Sequence, residues 1–165
     1  MSQPVPPPPS GNPFANGPAP EPYPMAPPPA PVRDNVGLGL VAALVAGLVA
    51  GGVYGAIIGG VEREIGWAAI GVGFLVGLAA GKVGGRNPVL PVASAVLSLG
   101  AVYLGQLVGI AVLVAKQLNV SATDLFLEEF GLLTEAWNEG KDAMTFLFFA
   151  LAAFAAFSAA KKASR

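Results

Sequence analysis

Residues 37–60 read GLGLVAALVAGLVAGGVYGAIIGG, 24 positions without a charged side chain, in which Gly47, Gly51, Gly55 and Gly59 recur every fourth residue. A helix rises about 1.5 Å per residue, so such a run can cross a hydrocarbon core of roughly 30 Å. Three more uncharged runs follow, at 65–81, 87–115 and 143–160. The second is the shortest, and Lys82 can lend it a turn by carrying its ammonium outward on an apolar stem. In the third, Asn87, Pro88 and Pro91 make a turn that puts the start of the helix near Pro91, where proline is tolerated in a first helical turn. Spanning strands are excluded: these runs lack period-two alternation, and four strands close no barrel.

The fold expected is all-α, a four-helix transmembrane bundle with a disordered proline-rich tail over 1–35. The transmembrane domain is expected over 36–165, with helices near 37–60, 65–84, 91–115 and 143–160. A short extracytoplasmic amphipathic helix is expected near 122–138. Composition agrees, since 54% of the 165 residues are hydrophobic and 12% charged, against about 25% charged in soluble domains.

Composition also limits the chemistry. The net charge of −1 offers no broad basic field, so no nucleic-acid partner is expected. The chain has no cysteine and no histidine, which removes thiolate chemistry, the commonest general base and the commonest metal ligands. No protected carboxylate pair or phosphate-cradling loop is evident. The expectation is therefore a non-enzyme with no catalytic residue, no cofactor and no metal site.

The first 31 residues hold fourteen prolines and neither Lys nor Arg. Such a stretch samples polyproline II and has little apolar surface to drive ordering. Pro6–Pro9 and Pro27–Pro29 contain PxxP spacings, which read as a solvated tether or as a dock for a polyproline-reading partner. No secretory signal pattern opens the chain, so the first apolar run is expected to serve as its own insertion signal.

Arg33, Lys82, Arg86, Lys161, Lys162 and Arg165 fall on one side of a four-crossing chain, and Arg63, Lys116 and Lys141 on the other. The acids lean to the second side. Basic residues favour the cytoplasmic side of short loops, so both termini are expected in the cytoplasm of a multi-pass protein of the plasma membrane.

Packing is expected to run through small-residue stripes, because close backbone approach and dispersion replace the hydrophobic force between helices in lipid. The second run carries Gly73, Gly77, Gly81 and Gly85 at the same spacing as the first. These two stripes, joined by Val61–Glu64, are expected to close a tight antiparallel hairpin. The third helix has Ala101, Gly105 and Gly109, and the fourth Ala152, Ala156 and Ala160. Self-association and pore lining remain alternative uses of such stripes.

Between the third and fourth runs, Asp124, Glu128, Glu135 and Glu139 share one helical face, opposite Phe126, Phe130, Leu133 and Trp137. This reads as a helix lying in the outer interface with Trp137 at headgroup level, its acids solvated, and Gly131 weakening it locally. No ionisable side chain lies in the core of a run. Tyr103 and Gln106 are the notable intramembrane polar groups, expected near mid-membrane, with Gln106 bonding across to a neighbouring helix.

The stretch Glu64–Gly77, EIGWAAIGVGFLVG, resembles a segment of small uncharacterised multipass membrane proteins of high-GC Gram-positive bacteria, in which an E-I-G-x-x-A-x-G-x-G-x-x-V-G helix follows a first transmembrane helix. The resemblance implies a bacterial plasma membrane and transfers no activity or site residue. The function expected is that of a non-enzymatic scaffold, assembly factor or subunit acting through glycine-stripe packing; a small oligomeric channel or transporter is the alternative. The partners implied are the lipid bilayer, a second copy or other membrane proteins, and a reader of the Pro-rich tail.

Overall fold

A computed structural model of the chain describes residues 34–63 and 65–165. The expectation of a disordered tail therefore lies, for residues 1–33, outside the described residues. The described chain is all-α: α1 (Val36–Val61), α2 (Gly66–Gly84), α3 (Val89–Leu118), α4 (Ala122–Glu128), α5 (Phe130–Gly140) and α6 (Ala143–Ala163). Of these, α1, α2, α3 and α6 are long and apolar enough to cross a membrane.

The helix ends follow local chemistry. Asn35 caps α1 by accepting from the Leu38 N–H at 3.2 Å. Its own N–H donates to the Gly84 carbonyl at 2.9 Å, and Asn87 Nδ2 donates to the Asp34 carboxylate at 3.2 Å. Asp34 and Asn35 thus belong to the helical unit rather than to the tail, which corrects the boundary expected at 35. Gly85, read from spacing as part of the second stripe, instead ends α2 at φ 80°, a conformation glycine adopts at little cost. Pro88 is the N-cap of α3 and Pro91 lies in its first turn, so the helix begins two residues earlier than expected. The segment 122–138 is two helices rather than one. They break at Glu129, where φ −115° and ψ 36° leave the helical region.

The four long helices form a rhombus in cross-section. α1 packs on α3 and α2, α6 packs on α2 and α3, α2 touches α3, and α1 does not touch α6. Burial agrees: 28% of the most apolar stretch of α1 and of α6 is buried, against 44% for α2 and α3. The most extensive pairings are α1 with α3 and α2 with α6, two parallel pairs that are not neighbours in the chain.

Glycine makes these two pairings possible. A Cβ on Gly51 would lie 2.6 Å from the Ala101 carbonyl oxygen, and one on Gly55 2.5 Å from that of Gly105. Reciprocally, a Cβ on Gly105 would meet the Gly51 carbonyl at 2.7 Å, and one on Gly109 the Ile58 side chain at 2.7 Å. Gly47 faces Ala101, and Gly59 faces Val112. On the other pair, Gly73, Gly77 and Gly81 sit against the carbonyls of Ala152, Ala156 and Ala160 in turn, where any Cβ would collide with backbone.

The stripes of α1 and α2 therefore do not face each other as a matched hairpin. A groove without side chains gains most dispersion when a partner's methyls and carbonyls fill it, and alanine and valine on α3 and alanine on α6 fill these two. α1 and α2 still pack antiparallel, meeting closely at Gly39 and Gly84, where a Cβ on either residue would fall within 3 Å of the other's Cα. Tyr54, Val76, Leu90, Val102 and Leu107 are fully buried and fill the interior.

Candidate functional site

The polar groups of the bundle concentrate at the end where α1 and α3 finish and α6 begins. Helix termini leave carbonyls without intrahelical partners. At the end of α1, Glu62 is a left-handed cap at φ 57° whose N–H donates to the Ile58 carbonyl. Lys116 on the last turn of α3 donates to the Gly59 carbonyl at 2.7 Å and approaches the Glu62 carboxylate at 3.7 Å. One ammonium thus satisfies a terminal carbonyl, complements the negative end of α1 and pairs with a carboxylate.

α4 and α5 close this end by folding onto α3. Leu133 is fully buried and packs with Leu107 and Ala111, with Tyr103, Ile110, Phe126 and Trp137 around them. Trp137 Nε1 donates to Gln106 Oε1 at 2.7 Å. The indole meets the Tyr103 ring edge-on, centroids 4.9 Å apart at 87°, and the Lys141 ammonium lies 5.3 Å from the indole centroid. The two intramembrane polar residues singled out from sequence are thus brought together by a third residue, Trp137.

One expectation changes here. The apolar face of the 122–138 segment packs partly on α3 instead of lying wholly in the interface: Leu125 and Leu133 are buried and Phe126 and Trp137 half-buried, while Phe130 stays exposed. Gln106 lies close to the middle of α3 (Val89–Leu118). The near-side acids, Asp124, Glu128, Glu135 and Glu139, are exposed, as a solvated face requires.

α6 starts beside this layer with a capping box. Thr145 N–H donates to Asp142 Oδ1 at 2.8 Å, and the Asp142 N–H donates to Thr145 Oγ1 at 3.3 Å. The backbone and hydroxyl of Thr145, donating to the carboxylate, hold the Asp142 pKa below its ordinary value near 3.8.

Among α1, α3, α5 and α6 these groups leave a half-open cavity of about 240 Å³. Its floor is apolar, Ile58, Ile110 and Leu113, and its wall carries Glu62, Arg63, Gln106, Trp137, Lys141 and Thr145. Sequence reading took Arg63 as a turn residue and did not join it to Lys141. The two are 78 positions apart, and only the closing of α5 over α3 makes them neighbours. Among the described residues no group of acidic, histidine or cysteine side chains is arranged to hold a metal ion.

Fold and site together define a class: a helical protein with four membrane-length apolar helices and a layered polar end. No family model, curated protein or solved structure matches this chain.

Proposed function

We propose that the chain is an integral protein of the cell membrane with both termini in the cytoplasm, acting as a non-enzymatic scaffold, assembly factor or subunit. The observation carrying this reading is that all four small-residue stripes are consumed inside the molecule, in the pairs α1–α3 and α2–α6, around a filled interior. A bundle closed in this way is a rigid platform rather than a conduit. Partners would then meet its lipid-facing surface, its polar end or the Pro-rich N-terminal stretch, and not the glycine stripes. Orientation is argued from charge. The pairing of Gly81 with Ala160 brings Lys82 and Lys161 to one end of the bundle, and clustered basic residues favour the cytoplasmic side.

Purified in mild detergent after crosslinking in cells, the full chain should run as a discrete complex larger than one copy. A strictly monomeric protein that crosslinks to nothing would sink the scaffold reading. Reconstituted into liposomes, it should pass ions and small solutes no faster than empty vesicles. Flux above that level, abolished by Gln106→Leu, would move the case to an oligomeric channel or transporter.

A further inference from the structure

The polar end of the bundle carries three basic residues, Arg63, Lys116 and Lys141; Arg63 and Lys141 line the cavity described above, and Lys116 pairs with Glu62 on its wall. They come from the α1–α2 turn, the last turn of α3 and the residue after α5, so no local sequence feature brings them together. The carboxylate on the wall, Glu62, is already paired with Lys116 at 3.7 Å. Lys141 is positioned by Asn138, to whose Oδ1 it donates, and by the Trp137 ring. Arg63 has no hydrogen bond or ion pair among the described residues. The exposed acids of α4 and α5 do not line the cavity. The Arg63 guanidinium and one oriented ammonium thus stand above an apolar floor, with Gln106 and Thr145 as the neutral polar groups.

We propose that this cavity binds a phosphate group carried on a short polar or apolar stem. A guanidinium presents paired N–H donors that match two phosphate oxygens, and an ammonium adds a point charge beside it. A volume of about 240 Å³ admits a phosphate with a glycerol-sized stem, and the open side lets longer chains leave. The cavity lies at the ends of the membrane-length helices, the depth at which lipid headgroups sit if those helices span a bilayer. A membrane phospholipid and free phosphate are the two sources of this chemistry.

The test uses the full chain in a nonionic detergent with Trp67→Phe, which leaves Trp137 as the reporter, titrated with dihexanoyl phosphatidylglycerol, dihexanoylglycerol, which lacks the phosphate, and inorganic phosphate. A saturable change in Trp137 emission is expected with phosphatidylglycerol. It should weaken by about tenfold or more in the double variant Arg63→Gln with Lys141→Gln, since each substitution removes a charge-assisted contact, and persist in Lys141→Arg. Saturation by phosphatidylglycerol alone identifies the lipid as the source, and saturation by inorganic phosphate as well shows that the phosphate group suffices; either supports the proposal. No saturable response to either, equal affinity for the phosphate-free dihexanoylglycerol, or equal affinity in the variants overturns it. Should the double variant lose helix content by circular dichroism, Arg63→Gln alone, on an exposed turn, carries the same test.

Discussion

At Gly77 a single missing methyl decides whether two helices can meet. A Cβ there would fall on the backbone of Ala156, which cannot rotate away as a side chain could. Six residues earlier, Gly71 has nothing within 4 Å of where its Cβ would be. Gly77→Val is therefore expected to destabilise the bundle by about 1–3 kcal/mol, the usual cost of overpacking. Gly71→Ala should be neutral or stabilising by up to about 1 kcal/mol, through helix propensity alone. Reversible unfolding in mixed micelles measures both, and equal stability of Gly77→Val and the parent would refute the α2–α6 register. The same logic separates stripe from spacing. Gly85 shares the four-residue repeat with Gly73, Gly77 and Gly81, yet its positive φ makes it a terminator.

Among the elements, α6 shows how a helix end senses pH. Asp142 accepts from the Thr145 N–H and hydroxyl, so the ionised form is favoured in the folded protein and its pKa is lowered. A lowered pKa means the contribution is fully present above the unfolded value near 3.8 and is lost as pH falls through the still lower folded value. Asp142→Ala should lower the melting temperature at pH 6, and its gap to the parent should shrink as pH drops below about 3.8. A gap that stays constant to pH 2 would mean the cap does not titrate as its hydrogen bonds require. α4 and α5 illustrate a different rule, since their amphipathic pattern identifies an apolar face without identifying what covers it. Lipid and α3 are both apolar partners, and on α3 the segment gains both the burial of Leu133 against Leu107 and Ala111 and the Trp137–Gln106 hydrogen bond. A buried amide is costly without a partner, and the Trp137 N–H supplies one.

For the whole molecule, the rhombic arrangement makes α2 and α3 the centre and α1 and α6 the flanks. Large side chains such as Leu44, Leu48, Val49 and Phe154 are exposed on the flanking helices, where lipid would contact them. The absence of native cysteine makes the proposed orientation directly measurable. Single cysteines replacing the exposed Arg63 or Phe130 should react with an impermeant maleimide in intact cells, and those replacing Arg86 or Ser164 only after lysis. Labelling of position 164 from outside would invert the proposed topology.

Sequence alone determined the number of long helices, their all-α character and the small-residue stripes. These depend on run length and on a period of four along one chain, both local properties. It also marked Gln106 and Trp137 as groups needing explanation. Which stripe faces which was not legible, because the α1 and α2 stripes have identical spacing and a short turn between them, and spacing carries no information about the partner. The tertiary structure chose the parallel pairs α1–α3 and α2–α6, where methyls and carbonyls fill grooves that two facing glycine rows would have left empty. The cavity with Arg63 and Lys141 likewise exists only because α5 folds over α3, since charges far apart in sequence become one site through packing and not through pattern.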